Sequence, residues 1–239
     1  MKNKTLIITE THGDEKIGTN VIREIKKTTR TNFDWVIGNE KASKINKRFI
    51  NFDMNRIAPG NIRSKNYEEK RAAEIISISK QYDFVIDIHG ASSKSGIFII
   101  ITNPKIENIL LALTIPIKNI VIWKSKNENN GPITKFVDCG LEIECGPKES
   151  KTSENELERI IKKINKNKID LNQVNFKEKN IFNVYGKLLT NRNNKNLKLK
   201  DFRKTKLKNE TFFPLLSGCY PRINCYKMEK VDLVSLLSY

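Results

Sequence analysis

The sequence predicts an α/β fold: a mixed, mostly parallel sheet flanked by helices, followed by a small β-rich C-terminal domain. The first observation is that strand-like apolar runs alternate with helical patterns until about residue 168. The second is that several of these runs are apolar on both faces, which is typical of a sheet covered by helices. The third is that short β-type pieces, separated by Asn, Lys and Gly, follow residue 168.

Six strands and three helices are predicted before residue 168. The strands are short apolar runs rich in β-branched residues, at 4–9, 33–39, 82–89, 96–102, 119–124 and 140–145. The first helix, at 15–28, has apolar residues at helical spacing. The helices at 67–80 and 154–167 each follow a potential N-cap residue, Asn66 and Ser153, with a glutamate three positions later.

We expect two domains from this pattern. Residues 1–168 would form the α/β domain, because strands that alternate with helices imply largely parallel pairing. Residues 169–239 would form the small β-rich domain, whose strand-like pieces are NIFNVYGKLLT, ETFFPLLSG and RINCYKMEKV. A chain of 239 residues is large enough to bury a catalytic cleft.

The composition indicates a globular, cytoplasmic protein. Hydrophobic residues make up 38% and charged residues 30% of the chain, and no apolar run approaches the roughly 20 residues of a membrane span. The first residues lack the features of a secretory signal. The four cysteines form two pairs spaced by six, which fits neither a zinc knuckle nor a disulfide framework, so we expect reduced thiols.

The formal net charge of +17 is concentrated towards the C-terminal end. Residues 151–239 hold 20 Lys and Arg against 9 Asp and Glu. Clustered cations would favour nucleic acid as a partner. Here the lysines are interspersed with Asn and Ile, and few aromatics are present to stack bases. We therefore expect a solvated lysine-rich surface and no nucleic-acid partner.

The chain contains two histidines, and each lies at the end of a strand-like run. His12 lies in THGDE, directly after the run LIIT, and His89 ends VIDIH. Open α/β sheets bind ligands at the carboxyl ends of their strands. Glu15 follows His12 by three positions, and two histidines with one carboxylate are a known ligand set of catalytic zinc. The sequence therefore predicts that His12, Glu15 and His89 bind one Zn2+ per chain.

Four ordered motifs resemble the succinylglutamate desuccinylase/aspartoacylase family, a branch of the zinc carboxypeptidase superfamily. They are THGDE, RFINFDMNR, DIHGASS and LEIECGP, and the resemblance covers about residues 5–150. It implies a zinc-carboxypeptidase-like sheet and matches His12, Glu15 and His89 to the family's zinc ligands.

The resemblance also implies the roles of five further residues. Arg48 would polarise the scissile carbonyl, Asn55 and Arg56 would grip a substrate carboxylate, and Glu144 would be the general base. These roles suit the side chains, since guanidinium groups bind carboxylates bidentately and a carboxylate can carry a proton to a leaving amine. FFPLLSGCYPRINCYKMEK resembles the family's end segment, where Tyr220 best matches a tyrosine that reaches into the site.

Other acidic residues near these motifs are assigned supporting roles. Alternation along a strand does not separate Glu144 from Glu142, because side chains two positions apart share a face. The Glu-x-Gly-Pro register of the family selects Glu144, and Glu142 is kept as a supporting residue. We expect Asp53 and Asp87 to orient the metal-bound histidines through their second ring nitrogen, and Asp14 to be structural.

The sequence departs from aspartoacylase proper at two positions. That enzyme carries an arginine ten residues, and a tyrosine fourteen residues, before its catalytic glutamate, where they help to recognise the substrate. Here the positions hold Thr134 and Asn130. The departure argues against specificity for N-acetylaspartate, unless Lys135 supplies the cation through a shifted loop register.

The sequence thus predicts a zinc-dependent amidohydrolase (deacylase). It would hydrolyse an amide bond of an N-acyl amino acid, or of a similar small carboxylate-bearing substrate, by a zinc-activated water. One alternative is a zinc carboxypeptidase acting on short peptides, since Asn55 and Arg56 could equally hold a peptide C-terminus. A second is a basic RNA-binding protein with a vestigial metal site. We expect no membrane partner, and the sequence leaves a homo-oligomer open.

Overall fold

The computed structural model describes residues 4–125, 127–167, 169–172, 174, 178–191, 194 and 197–232. Its strands are β1 (Thr5–Thr9), β2 (Phe33–Ile37), β3 (Phe84–Gly90), β4 (Gly96–Ile101), β5 (Asn119–Ile122), β6 (Gly140–Gly146), β7 (Asn180–Leu189), β8 (Thr205–Leu207), β9 (Glu210–Leu215) and β10 (Ile223–Val231). Its helices are α1 (Ile17–Thr28), α2 (Glu40–Lys44), α3 (Met54–Ile57), α4 (Tyr67–Ser79), α5 (Ile106–Thr114) and α6 (Lys151–Asn167), with a 3-10 turn at Ile133–Lys135.

The strands form one ten-stranded sheet in the order β2-β1-β3-β6-β4-β5-β7-β10-β9-β8. Strands β2, β1, β3 and β6 are parallel neighbours. Strand β4 is antiparallel to β6 and parallel to β5, and β5 is parallel to β7. The last four strands in the order pair antiparallel. The predicted fold class, a mixed and mostly parallel sheet with helices and a C-terminal β-rich region, is confirmed.

Both faces of the parallel strands are covered by helices, as their apolar runs predict. On one face, Ile7 of β1 packs in a core with Ile22 of α1 and Ile161 of α6. On the other face, Ile8 packs with Ile75 of α4. Neighbouring residues of β1 therefore enter different cores, and each fully buried aliphatic side chain contributes about 1.5–3 kcal/mol to folding.

The helix boundaries agree with the sequence in one case and differ in others. Helix α4 begins after Asn66, whose side-chain oxygen accepts a hydrogen bond from the Glu69 N–H at 3.2 Å. The cap predicted at Ser153 is wrong, because α6 already begins at Lys151 and the carbonyl of Ser150 accepts the amide of Glu154 at 3.0 Å. Helix α5 was not predicted, since its run IENILLALT is too apolar to show a polar face.

The strands after residue 168 extend the sheet of the first part of the chain. Residues 180–183 of β7 pair in parallel with residues 119–122 of β5. A third core joins Phe98 of β4 to Phe182 of β7 and Leu215 of β9. The division into domains at 1–168 and 169–239 stays a prediction.

Within the described residues, no helix combines the length and the apolar character that crossing a membrane requires.

Candidate active site

The candidate site lies where β1, β3 and β6 run side by side. His12 follows β1 in the loop that leads to α1, and His89 lies near the end of β3. In the register of β3 with β6, His89 is the direct neighbour of Glu144, and Asp87 is the neighbour of Glu142. Because residues two apart share a face of a strand, these four side chains lie on one face of the sheet.

The three predicted metal ligands converge in the structure. His12 Nδ1 lies 2.9 Å from Glu15 Oε1, and His89 Nδ1 lies 3.0 Å from Glu15 Oε2. All three side chains are buried, and one ligand atom of each lies within 4.8 Å of the others. Two imidazole nitrogens and a carboxylate oxygen, turned towards one another, suit Zn2+. We call these three residues the ligand cluster.

The second nitrogen of each histidine contacts a different aspartate. His12 Nε2 lies 3.0 Å from Asp53 Oδ1, and His89 Nε2 lies 3.0 Å from Asp87 Oδ2. Asp87 is held in turn by the Thr11 hydroxyl, which lies 2.9 Å from both of its carboxylate oxygens. This is the arrangement expected of histidines that bind a metal through their other nitrogen.

The neighbouring carboxylates and histidines shift the pKa values of the ligand cluster. Burial would lower the pKa of His89, but Asp87 and Glu15 raise it well above its ordinary value. Burial would also lower the pKa of His12, but Glu15 and Asp53 raise it above its ordinary value. Burial would raise the pKa of Glu15, but the two histidines hold it well below its ordinary value. These directions show that the carboxylates of the site favour positive charge at the histidines, and a cation bound there would compete with protons for the ring nitrogens.

The position of Arg48 beside the ligand cluster depends on a close approach between the loop that contains Gly13 and the segment formed by α2 and the residues after it. The Gly13 N–H donates to the Arg48 carbonyl at 3.1 Å, and a Cβ on Gly13 would lie 2.3 Å from the Ala42 backbone. Only glycine permits this contact. The guanidinium reaches Glu15 Oε1 and Asp53 Oδ2, each at 3.2 Å. Its side chain is 39% exposed, so it also faces the space in front of the cluster.

Asn55 and Arg56 are presented by the short helix α3, and their environments differ. Asn55 is buried, and its Nδ2 lies 3.2 Å from His89 Nε2 and 3.4 Å from Glu142 Oε1. Arg56 is exposed and donates to the Asn55 carbonyl at 2.9 Å. Among the described residues Arg56 has no salt bridge, so its guanidinium is available to an anion.

Glu142 and Glu144 share a face but differ in their contacts. Glu142 is buried and accepts hydrogen bonds from Asn55 and from the Thr134 hydroxyl, the latter at 3.2 Å. Glu144 is half-buried, and no described residue hydrogen-bonds to its carboxyl group. Burial, followed by the charge of Glu15, raises the pKa of Glu144 to about 8. Of the two, Glu144 is therefore the carboxyl that is free to exchange a proton.

These groups open into a cavity of about 700 Å³. The ligand cluster, Arg48, Asn55, Arg56 and Glu144 all line it, and so does Tyr220, as the resemblance implied. Trp123 and Tyr226 line it as well. Sequence reasoning missed these two residues, because they are far apart in the chain and no motif connects them.

Thr134, at one of the two positions that depart from aspartoacylase, and the neighbouring Lys135 do not supply a cation to the cavity. Thr134 is buried, and its hydroxyl lies 2.9 Å from that of Thr102. The ammonium of Lys135 donates to backbone carbonyls of Asn127 and Glu128, at 2.5 and 2.9 Å, and does not line the cavity. The suggested substitution by Lys135 is therefore not supported.

Comparisons with known proteins agree with the sequence motifs. Residues 2–168 match the model of the succinylglutamate desuccinylase/aspartoacylase catalytic domain. A probable aspartoacylase of Trichodesmium erythraeum (strain IMS101) is 30% identical over 164 residues, which are 61% of this chain and 56% of that protein. Another, from Acaryochloris marina (strain MBIC 11017), is 26% identical over 60% of this chain and 55% of its own length. The chain thus spans about half the length of these relatives.

Solved structures show the same fold. Murine aminoacylase 3 superposes with a TM-score of 0.73 and 16% identity over 95% of both chains. The succinylglutamate desuccinylase of Chromobacterium violaceum has a TM-score of 0.69 and 15% identity, over 97% of this chain and 85% of that one. At these identities the likeness establishes the fold.

Proposed function

Because the chain belongs to the succinylglutamate desuccinylase/aspartoacylase family, we propose that it is a zinc-dependent amidohydrolase. Its substrate would be an N-acyl amino acid or a similar small molecule with a carboxylate beside the scissile amide. The observation that carries the proposal is the convergence of the two histidine Nδ1 atoms on Glu15, with the unpaired Glu144 directly across from His89.

His12, Glu15 and His89 would hold the metal, and Asp53 and Asp87 would fix the orientation of the histidine rings. When bound, zinc lowers the pKa of a water molecule towards about 7 and polarises a carbonyl group.

Glu144 would act as the general base and then as the general acid. Its carboxylate accepts a proton from the attacking water and returns it to the leaving nitrogen. A neighbouring dication favours the ionised form of this carboxyl group, which counteracts the raised pKa of the metal-free site.

The two arginines would bind different parts of the substrate. Arg48, which contacts Glu15 of the ligand cluster, is placed to stabilise negative charge that develops on the carbonyl oxygen. Arg56 would pair with the substrate carboxylate. Asn55 would assist it, although its amide also contacts His89 and Glu142.

The experiment that tests the proposal compares two isosteric variants of zinc-loaded protein on a panel of N-acyl amino acids. Glu144→Gln should keep its zinc and lose about 10²–10⁴-fold in kcat, because the proton carrier is removed. Glu229→Gln is the matched control, since Glu229 is exposed on β10, far along the sheet from β6, and accepts a bond from Asn183. Full turnover by Glu144→Gln would remove Glu144 from the mechanism.

A second candidate function is hydrolysis of short peptides from their C-terminus. The guanidinium of Arg56, which has no salt bridge among the described residues, supports it, because a peptide carboxylate would bind there as well as that of an N-acyl amino acid. Adding unmodified dipeptides to the same panel separates the two activities by the ratio of their kcat/KM values.

A further inference from the structure

The segment that carries Arg48 has little side-chain packing of its own. Residues 49–52, which join Arg48 to the N-cap of α3, all have exposed side chains, and the exposed fraction is 37% for Phe49 and 47% for Phe52. None of the four belongs to the three hydrophobic cores of the described structure. We call residues 48–52 the Arg48 segment. Its position therefore depends mainly on hydrogen bonds of its main chain.

A buried glutamate of α4 accepts two of these hydrogen bonds. The Glu68 side chain is fully buried, and its Oε1 accepts the Ile50 N–H at 2.7 Å and the Asn51 N–H at 3.2 Å. The side-chain amide of Asn39, the residue that caps α2, donates to the same oxygen at 3.4 Å. Hydrogen bonds to a carboxylate oxygen are stronger than those between neutral groups. Glu68 thus joins α4, the start of α2 and the Arg48 segment.

Helix α4 is itself fixed to the sheet, so Glu68 lies on a rigid element. Ile75 of α4 is fully buried in a core that it shares with β1. Arg71 of the same helix donates to the carbonyls of Ile37 and Gly38, at the end of β2, at 2.7 and 2.9 Å. A bond from the Arg48 segment to Glu68 therefore ties that segment to the frame of the sheet.

The path from Glu68 to the Arg48 guanidinium is short. Ile50, whose amide binds Glu68, is two residues from Arg48, and the Arg48 carbonyl accepts the Gly13 N–H at 3.1 Å. If the bonds to Glu68 are lost, the main chain after Arg48 is free to turn about the remaining bond to Gly13. A misplacement of about 1 Å at a catalytic group can lower a rate by about 10²-fold.

We propose that Glu68 is a positioning residue that holds Arg48 beside the ligand cluster. Glu68 itself is not among the described residues that line the cavity, so it acts through Arg48. The inference rests on the proposed function, because that function assigns to Arg48 the stabilisation of negative charge on the carbonyl oxygen.

Glutamine at position 68 would keep the size of the side chain but could not keep its contacts. Glu68 Oε2 is buried and has no hydrogen-bond partner among the described residues. An NH2 group in its place would be a buried donor without an acceptor, and the reverse orientation would turn that NH2 group towards the amides of Ile50 and Asn51. Either arrangement weakens the attachment of the Arg48 segment.

The first test measures kcat and KM of zinc-loaded Glu68→Gln on the panel of N-acyl amino acids. We expect kcat to fall about tenfold, less than the 10²–10³-fold that removal of such a donor itself costs, while zinc content and KM change little. Glu69→Gln is the matched control and should keep its kcat. It makes the same charge change in the first turn of α4, but Glu69 accepts the Ser64 hydroxyl at 2.6 Å and does not contact the Arg48 segment.

A double-mutant cycle separates positioning of Arg48 from a general structural effect. If Glu68 acts through Arg48, adding Glu68→Gln to Arg48→Ala should leave kcat nearly unchanged, because the group that it positions is already gone. The same tenfold loss in both backgrounds would show that Glu68 acts independently of Arg48, and this would overturn the proposal.

Hydrogen exchange tests the attachment without any turnover. Peptides that cover residues 48–53 should exchange about tenfold faster in Glu68→Gln than in wild type and Glu69→Gln, while peptides from α4 stay protected in all three. If wild type hydrolyses none of the panel, the amidohydrolase proposal fails, and hydrogen exchange still decides whether Glu68 holds the segment. Equal exchange of residues 48–53 in wild type and Glu68→Gln would overturn the inference whatever the turnover.

Discussion

Each histidine of the site uses its two ring nitrogens for different purposes. The Nδ1 atoms of His12 and His89 meet at Glu15, whereas the Nε2 atoms contact Asp53 and Asp87. The contacts of the Nε2 atoms with the two aspartates hold the orientation of each ring and leave the Nδ1 atoms turned towards the proposed metal position. A single carboxylate, Glu15, joins the two histidines although 74 residues separate it from His89.

Asp87→Asn should weaken zinc binding without unfolding the protein. The substitution keeps the size of the side chain but removes the charge that stabilises His89, so we expect metal affinity to fall about 10–100-fold. Competition with a chromogenic chelator measures this change. Asp83→Asn is the control, because Asp83 accepts the amide of Lys4 at the opposite end of β3. Equal zinc affinity of Asp87→Asn and Asp83→Asn would contradict the orienting role of Asp87.

The pH dependence of stability reports on Glu144 in metal-free protein. Burial, followed by the charge of Glu15, raises its pKa from 4.5 to about 8, so the folded state binds this proton more tightly than the unfolded state does. That stabilisation is fully present below about pH 4.5 and is lost as the pH rises through about 8. We expect the Tm of metal-free wild type to fall more steeply between pH 5 and 8 than that of Glu144→Gln. Parallel curves for the two proteins would show that Glu144 does not titrate in this range.

At the scale of elements, the strand register and one loop contact bring the site together. The pairing of β3 with β6 sets His89 beside Glu144, and the glycine contact at residue 13 brings Arg48 to the cluster. Helix α3 is capped by Asp53, whose Oδ1 accepts the Asn55 amide at 2.9 Å and also contacts His12. The Asp53 carboxylate thus caps the helix that presents Arg56 and also contacts His12, a proposed metal ligand.

Alanine substitution at the two predicted N-cap residues, Asn66 and Ser153, should change the free energy of unfolding by different amounts. Asn66→Ala removes the bond to the Glu69 amide, and a lost N-cap costs about 1 kcal/mol of unfolding free energy. Ser153→Ala should cost much less, because Ser153 lies inside α6 and alanine is the better helix former. Urea unfolding of both variants measures the difference. An equal loss in the two would contradict the helix starts described here.

The elements predicted well are those whose signals are local. The strands up to residue 145 follow apolar runs, and the cap at Asn66 follows from its own sequence. The start of α6 was misjudged because Ser153, with Glu156 three positions later, fits the N-cap pattern although it lies inside the helix. Helix α5 is buried on most sides, so its apolar run lacks the periodicity that identifies a surface helix.

At the scale of the molecule, the cavity joins segments from both parts of the chain. The proposed metal ligands precede residue 90, and their convergence was predictable from a short motif and the second histidine. The aromatic residues that line the cavity include Trp123, which follows β5, and Tyr226 of β10, and they meet because β5 pairs with β7 and β7 with β10. The order of the strands in the sheet brings these distant residues together, and that order is not visible in any single stretch of the sequence.

Part of the lysine-rich surface lies on helix α6. Two lysines of α6 pair with glutamates on the same helix: Lys162 with Glu158 at 2.7 Å and Lys151 with Glu154 at 2.9 Å. Such exposed pairs add little stability, in the range of about 0–1 kcal/mol each. The expectation that nucleic acid is not a partner stays a prediction.

The metal content of the protein purified without added metal tests the central claim most directly. Elemental analysis should find about one zinc per chain in wild type and little in His12→Ala, because two ligands do not hold the metal as three do. Circular dichroism of both proteins establishes that the variant is folded. No zinc in wild type, even after zinc is supplied, would contradict the account, and so would undiminished zinc in folded His12→Ala.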